Sequence, residues 1–159
     1  GLTLVAARNW ALYQAHPWLL DGGNSRPVLG PHTLGKYEAE LRPLDNLGLS
    51  DVEMDSLLTL LLSHVEGVAR VQNNLRRVRA ASGLSDSDWW RIVGPALERH
   101  VGQLDLRLSS RVGSAASEAY AGLFDAQHTL QFGLERIFES IALLIARRNK
   151  RPARRKVSS

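Results

Sequence analysis

Residues 50–80, SDVEMDSLLTLLLSHVEGVARVQNNLRRVRA, decide the fold because they predict one long helix. Ser50 followed by Glu53 forms a capping box, in which each side chain accepts a hydrogen bond from the other residue's backbone N–H. Nearly every face is apolar within residues 57–62, and a helix of that kind lies at the centre of its domain. The apolar stripe at helical spacing comprises Met54, Leu57, Leu58, Leu61, Val65, Val68, Val71, Leu75 and Val78.

Two further helices are predicted before this central segment. Residues 2–15 form the first, which ends ahead of Pro17 because the residue before a proline is driven out of helical geometry. A loop rich in Gly, Asn, Ser and Pro follows over residues 21–30. The second helix begins at Pro31, Pro43 is expected to kink it, and Gly48 is its expected C′ stop.

The sequence after the central segment predicts three more helices. The first covers residues 85–108, with a kink expected at Gly94-Pro95. A short helix follows around residues 114–123, and Asp125 is a good N-cap for the last helix. No strand alternation or internal repeat is found, so the fold class is all-α with about six helices.

Composition and charge restrict the possible functions. The 159 residues contain no cysteine, which excludes disulfides, thiol catalysis and cysteine-ligated zinc. Seven basic residues lie within residues 147–159, and the remaining 13 basic and 16 acidic residues give a net charge of −3. A mildly acidic body is a poor surface for duplex DNA. We expect one helical domain over residues 1–148 and a basic, disordered tail over residues 149–159, with no membrane span.

Several segments are similar to parts of one known family, in the family's order. They are GLSDVE (48–53), HVEGVAR (64–70), HPWL (16–19), LSDSDWW (84–90), LSSRVGSAASEAY (108–120) and FDAQHTLQFGLERI (124–137). Together they resemble the C-terminal domain of tetracycline-repressor (TetR) family transcription regulators of the actinobacterial type. The resemblance implies a cytoplasmic repressor that dimerises through a four-helix bundle and releases operator DNA on binding a small effector. No helix-turn-helix is found in these 159 residues, so operator DNA would be bound only by an N-terminal domain absent from this chain.

The predicted effector pocket lies among the helices that begin near residues 2, 31, 50 and 85, with the central helix as its back wall. The expected ligand is a small, mostly apolar or aromatic molecule with one hydrogen-bonding group. An alternative remains open for each residue, because a histidine on an apolar face can be a hydrogen-bonded core residue and aromatic rings mostly supply packing area. The candidate ligand-binding residues are His64, Leu61, Val65, Val68, Trp89, Trp90, Trp10 and Tyr37.

The last helix carries the most regular apolar stripe in the chain. The stripe either docks on its own domain or forms a homodimer seam with the helix over residues 85–108, giving a four-helix bundle about a twofold axis. The family resemblance favours the seam. Its candidate residues are Leu97, Val101, Leu104, Leu130, Leu134, Ile137, Ile141 and Leu144.

Catalytic and metal sites have no support in the sequence. The five histidines form no His-x-x-x-His pair, and there is no Gly-x-Ser-x-Gly motif or phosphate-binding loop. We therefore predict no catalytic residue, no metal and no cofactor. The alternative to a sensor is a helical dimerisation scaffold that binds no small molecule.

Overall fold

The computed structural model describes residues 1–21, 30–101, 104–120, 122 and 124–149, and these residues form six α-helices. They are α1 (Leu2–Ala15), α2 (Pro31–Leu41), α3 (Asp51–Ser82), α4 (Asp86–Val101), α5 (Arg107–Tyr120) and α6 (Ala126–Asn149). Two short 3₁₀ helices, Pro17–Leu20 and Arg42–Leu44, follow α1 and α2. No strand occurs within these ranges, so the predicted all-α class is confirmed.

The central helix α3 begins with the predicted capping box. The Ser50 backbone N–H donates to Glu53 Oε2 at 2.9 Å, and the Glu53 N–H donates to Ser50 Oγ at 3.3 Å. Gly83, just after the helix, adopts a φ of 68° and its N–H donates to the Arg79 carbonyl, as expected of a glycine that ends a helix. A side-chain capping box therefore marks the start of the longest helix, and a glycine with positive φ marks its end.

The end of the second helix differs from the prediction. Pro43 does not kink a continuing helix, because α2 ends at Leu41 and the chain tightens into the 3₁₀ helix Arg42–Leu44. Proline has no N–H to donate to the carbonyl four residues earlier, and its ring clashes with that carbonyl. The Asp45 N–H instead bonds the Arg42 carbonyl at 3.2 Å.

The predicted helix over residues 85–108 is also corrected. Helix α4 ends at Val101, with Pro95 inside it, and Leu104 lies in a bend beyond the helix. Leu108 belongs to α5, which begins at Arg107 rather than near residue 114. Apolar spacing alone cannot reveal this break, because a second helix continues the same spacing.

The chain divides into two units. Unit 1 comprises residues 1–69 with the described residues from 130 onward, and unit 2 comprises residues 70–129. Unit 1 contains the buried core, which lies on α1, α3, α6 and the two 3₁₀ helices. Its buried hydrophobic residues are Val5, Ala6, Leu20, Leu44, Leu58, Leu61, Val65, Val68, Ala69, Leu130, Ile137 and Ile141. In unit 2, α4 and α5 contain no buried residue.

The last helix begins as predicted. The Asp125 carboxylate accepts a hydrogen bond from the His128 N–H at 2.9 Å, which confirms Asp125 as the N-cap of α6. Asn149 is the last residue of α6 and the first of the predicted basic tail. The rest of that tail, residues 150–159, lies outside the described residues, as do residues 22–29 of the predicted loop.

Candidate functional site

His64 on α3 lies against α6 within unit 1. Its Nε2 is 3.1 Å from the Leu130 carbonyl oxygen, and a carbonyl oxygen only accepts, so Nε2 carries the proton of this bond. Gly133 lets the imidazole lie against the α6 backbone, because a Cβ at that position would overlap the ring. One ring nitrogen of the predicted polar anchor is therefore used to join two helices.

The three predicted apolar wall residues on α3 are core residues of unit 1. Leu61 and Val65 are fully buried, and Val68 is nearly so. Their side chains are covered by the chain's own atoms, which is the packing alternative that the sequence left open. Whether an effector reaches them stays a prediction.

The tryptophan pair on α4, in unit 2, combines an edge-to-face ring contact with a hydrogen-bond donor that no described residue accepts. Trp89 and Trp90 pack edge to face, with centroids 5.1 Å apart and an interplanar angle of 77°. Trp89 is exposed, whereas Trp90 is half-buried. Among the described residues, buried Trp90 Nε1 and buried Gln72 Oε1 have no hydrogen-bond partner. Unit 2 therefore contains one donor and one acceptor that a ligand or water can satisfy.

The other two predicted aromatic residues lie on α1 and α2. Trp10 is half-buried, and Tyr37 is exposed. The Tyr37 hydroxyl donates to Asp55 Oδ1 at 2.7 Å, and this hydrogen bond is the main cause of a raised Tyr37 pKa. Tyr37 therefore connects α2 to the start of α3.

A cavity of about 340 Å³ between α1 and α2 was not predicted from the sequence. Its apolar wall includes Leu4, Leu12 and Pro43. Buried Asn9 and Glu40 meet at this cavity, where Asn9 Nδ2 donates to Glu40 Oε1 at 2.6 Å. The eight predicted ligand-binding residues do not line it. The position of Asn9, four residues after apolar Val5 on the same helix face, is a local signal that Asn9 is buried.

The start of α3 is attached to the end of α6 by an ion pair. Arg148 donates to Glu53 Oε1, and its Nε is 3.2 Å from that oxygen. The hydrogen bond from the Ser50 backbone N–H, followed by those from Arg148 and the Ser50 hydroxyl, lowers the Glu53 pKa to about 2. The carboxylate of the capping box therefore also fixes α6.

The predicted dimer-seam residues differ in accessibility. The chain itself buries Leu130, Ile137 and Ile141, and half-buries Leu134, Leu144 and Val101. Leu97 and Leu104 are exposed hydrophobic residues of unit 2. The dimer seam stays a prediction. Its most exposed residues, Leu97 and Leu104, do not belong to the buried stripe of α6.

No group of three or more His, Cys, Asp or Glu side chains is placed to hold a metal ion in the part of the chain that the structure describes. Within the same residues, none of the helices combines the length and the apolar character that a membrane span requires.

Comparison with known proteins identifies the family. The chain matches the model of the tetracyclin repressor-like C-terminal domain over residues 2–144. It is 32% identical over 151 residues to the HTH-type transcriptional repressor DrrR1 of Streptomyces coeruleorubidus. The alignment covers 93% of this chain and 53% of the relative, so the chain spans about half the length of the curated relative it matches. With this match over nearly all of its helices, the chain belongs to the tetracyclin repressor-like C-terminal domain family.

Proposed function

We propose that this chain is the effector-sensing and dimerising domain of a TetR-like transcriptional repressor of the bacterial cytoplasm. The observation that carries the proposal is the 32% identity to a transcriptional repressor over 93% of this chain. Operator DNA would be bound by an N-terminal helix-turn-helix domain, and a small, mostly apolar effector would release it. Members of this family are transcription regulators, which does not favour an enzyme.

The proposed mechanism is a shift between two conformations of the dimer. An effector that prefers one conformation raises its population by the difference between its affinities for the two. Helix α3 is a suitable transmitter because Glu53 near its start is bound by Arg148 of α6, and His64 further along is bound by the Leu130 carbonyl. Two polar contacts to one neighbouring helix favour coupled movement of α3 and α6.

The effector's hydrogen-bonding group is proposed to meet the tryptophan pair. A buried, unpaired N–H costs about 1–3 kcal/mol, so a ligand acceptor that reaches Trp90 Nε1 recovers that free energy. The flat rings of Trp89 and Trp90 favour an aromatic ligand. His64, Leu61, Val65, Val68, Trp10 and Tyr37 remain the other proposed contacts.

A thermal-shift screen of aromatic and lipophilic compounds tests the effector proposal. A true effector raises the melting temperature by mass action and quenches tryptophan fluorescence. Trp90→Phe keeps a large ring but removes Nε1–H, and it should weaken a hit that accepts this hydrogen bond by about 5- to 150-fold. Trp89→Phe is the matched control and should bind normally. Equal affinity for both variants would place the ligand elsewhere.

Sedimentation at micromolar concentration tests the proposed homodimer. Leu97→Asp puts a charge into the proposed seam and should dissociate the dimer. Leu34→Asp is the control, because Leu34 is an exposed leucine of α2 outside the seam. A monomer in the wild type, or dissociation by both variants alike, would contradict the seam.

A dimerisation scaffold without a small-molecule ligand is the second candidate. The exposed hydrophobic residues of α4 and α5, which include Ile92, Leu97 and Val112, favour it because such residues suit a protein partner. A stable dimer that no compound of the screen stabilises would support the scaffold over the sensor.

A further inference from the structure

The cavity between α1 and α2 has the composition of a ligand site. It is lined mainly by apolar side chains, including Leu4, Val5, Leu12 and Pro43. Its volume of about 340 Å³ lies within the range of small-molecule sites, roughly 300–1,000 Å³. Such sites combine an apolar wall with a few fixed polar groups.

A buried polar pair forms the fixed part of the cavity. Asn9 is 4% exposed and Glu40 is 9% exposed. Asn9 Nδ2 donates to the Val5 carbonyl at 3.0 Å and to Glu40 Oε1 at 2.6 Å, so both amide hydrogens are used. Lys36 Nζ also donates to Glu40 Oε1, at 2.6 Å. The Glu40 charge is therefore already compensated by a neighbouring cation.

Arg8 gives the cavity its remaining charge. It lines the cavity from α1, and among the described residues it has no ion-pair partner. Lys36 and Glu40 cancel each other, so the formal charge of these three side chains is positive. An anionic group at the mouth would meet Arg8 directly and Lys36 beside it.

We propose that this cavity binds a small amphiphilic carboxylate, with its hydrocarbon part against the apolar wall and its carboxylate on Arg8 near Lys36. Arginine suits this role because its planar fork matches the two oxygens of a carboxylate. A cationic ligand is disfavoured because Glu40 is already paired. The site goes beyond the proposed effector contacts, since none of those eight residues lines it.

Three probes of equal chain length test the charge preference, namely octanoate, 1-octanol and octylammonium. Their affinities are measured by isothermal titration calorimetry of the full chain at low salt. Octanoate should bind about two- to fivefold more tightly than 1-octanol, the range of a partly exposed ion pair. Tighter binding of octylammonium, equal binding of octanoate and 1-octanol, or binding of none of the three would overturn the proposal.

Two variants then locate the site. Arg8→Gln should remove the preference for octanoate over 1-octanol, whereas Arg107→Gln, at an exposed arginine of α5, should keep it. Ala39→Trp fills the cavity and should abolish binding, whereas Ala80→Trp, at an exposed alanine of α3, should not. Normal octanoate binding by Ala39→Trp would show that the probe binds elsewhere. Failure here leaves the repressor proposal intact, because that proposal is tested with the Trp90→Phe and Leu97→Asp variants.

Discussion

Units 1 and 2 use apolar residues in opposite ways. In unit 1, α1, α3 and α6 bury Val5, Leu61 and Ile141 in one core. In unit 2, Ala126 is the buried hydrophobic residue among those described, while Ile92, Leu97 and Val112 stay exposed. Both units expose some large hydrophobic residues, but nearly all of the buried hydrophobic residues described belong to unit 1.

Because of this difference, we expect unit 1 to provide most of the folding stability and unit 2 to provide contacts with a partner or ligand. Burial of apolar surface is the main source of folding free energy, so unit 1 supplies most of the stability of the chain. Exposed apolar faces are disfavoured in water unless a partner or ligand covers them. Unit 2 is thus where we expect the proposed dimer contacts and the tryptophan pair to gain affinity.

The largest expected effect is the difference in free energy of unfolding between Leu61→Ala and Leu97→Ala. Leu61 is 0% exposed, and deleting such a side chain lowers the free energy of unfolding by about 2–5 kcal/mol. Leu97 is 42% exposed, so its truncation should cost less than about 1 kcal/mol in a monomer. Urea unfolding followed by circular dichroism measures both.

Protein concentration provides the control for this contrast. If Leu97 lies in a dimer seam, the cost of Leu97→Ala should grow as the wild type is made more concentrated, because dimerisation stabilises only the wild type fully. The cost of Leu61→Ala should change less. Equal costs for the two variants would contradict the division between a buried and an open unit.

Gly133→Ala should destabilise the His64 contact within unit 1. A Cβ at residue 133 would overlap the imidazole, and relieving such overpacking costs about 1–3 kcal/mol. The better helix propensity of alanine inside α6 offsets about 1 kcal/mol of this cost. Gly67→Ala is the matched control, because Gly67 lies in α3 with open space around it and alanine is the better helix former by about 1 kcal/mol. In thermal unfolding, Gly133→Ala should melt below the wild type and Gly67→Ala should melt above it. A His64→Ala background should remove most of the Gly133→Ala cost, and failure to do so would refute the overlap as the cause.

The sequence predicts the helix ends where the signal is local. Ser50 with Glu53 and Asp125 with His128 each form their predicted bonds, because a cap needs only residues within one turn. The break between α4 and α5 was missed, because Leu104 and Leu108 continue the helical spacing across it.

Contacts between residues far apart in the sequence could not be predicted. The cavity between α1 and α2 depends on Asn9 meeting Glu40, which is 31 residues away, and no local pattern encodes that meeting. His64 was singled out as a polar residue on an apolar helix face, yet its hydrogen-bond partner is a backbone carbonyl of α6, which no side-chain pattern reveals. Local rules therefore locate helices, whereas contacts between helices require the structure.

Each unit contains the start of one helix that a serine caps, namely α3 with Ser50 in unit 1 and α4 with Ser85 in unit 2. Ser50 takes part in a reciprocal capping box, whereas Ser85 Oγ accepts from the Asp88 N–H at 3.1 Å. Among the described residues, the Ser85 N–H does not donate in return to the Asp88 carboxylate. Ser50→Ala should lower the global free energy of unfolding by about 1 kcal/mol. Ser85→Ala should mainly weaken hydrogen-exchange protection in the first turn of α4. A larger global effect from Ser85→Ala would contradict unit 1 as the main source of stability.

Glu53→Gln should produce the smallest effect, because the Glu53–Arg148 pair is accessible to solvent and screened. The pKa of Glu53 in the folded chain is about 2, below its ordinary value of 4.5, so the ionised form stabilises the folded state. This contribution is complete above about pH 4.5 and is lost as the pH falls through about 2. The stability difference between wild type and Glu53→Gln, from urea unfolding, should stay constant from neutral pH to about pH 5 and shrink on further acidification. Glu38→Gln is the control, since Glu38 Oε1 lies 3.9 Å from Arg42 Nε on an exposed face and the substitution should change the stability little. A Glu53→Gln difference that persists unchanged at pH 2 would mean that shape, rather than charge, makes this residue stabilise the junction of α3 and α6.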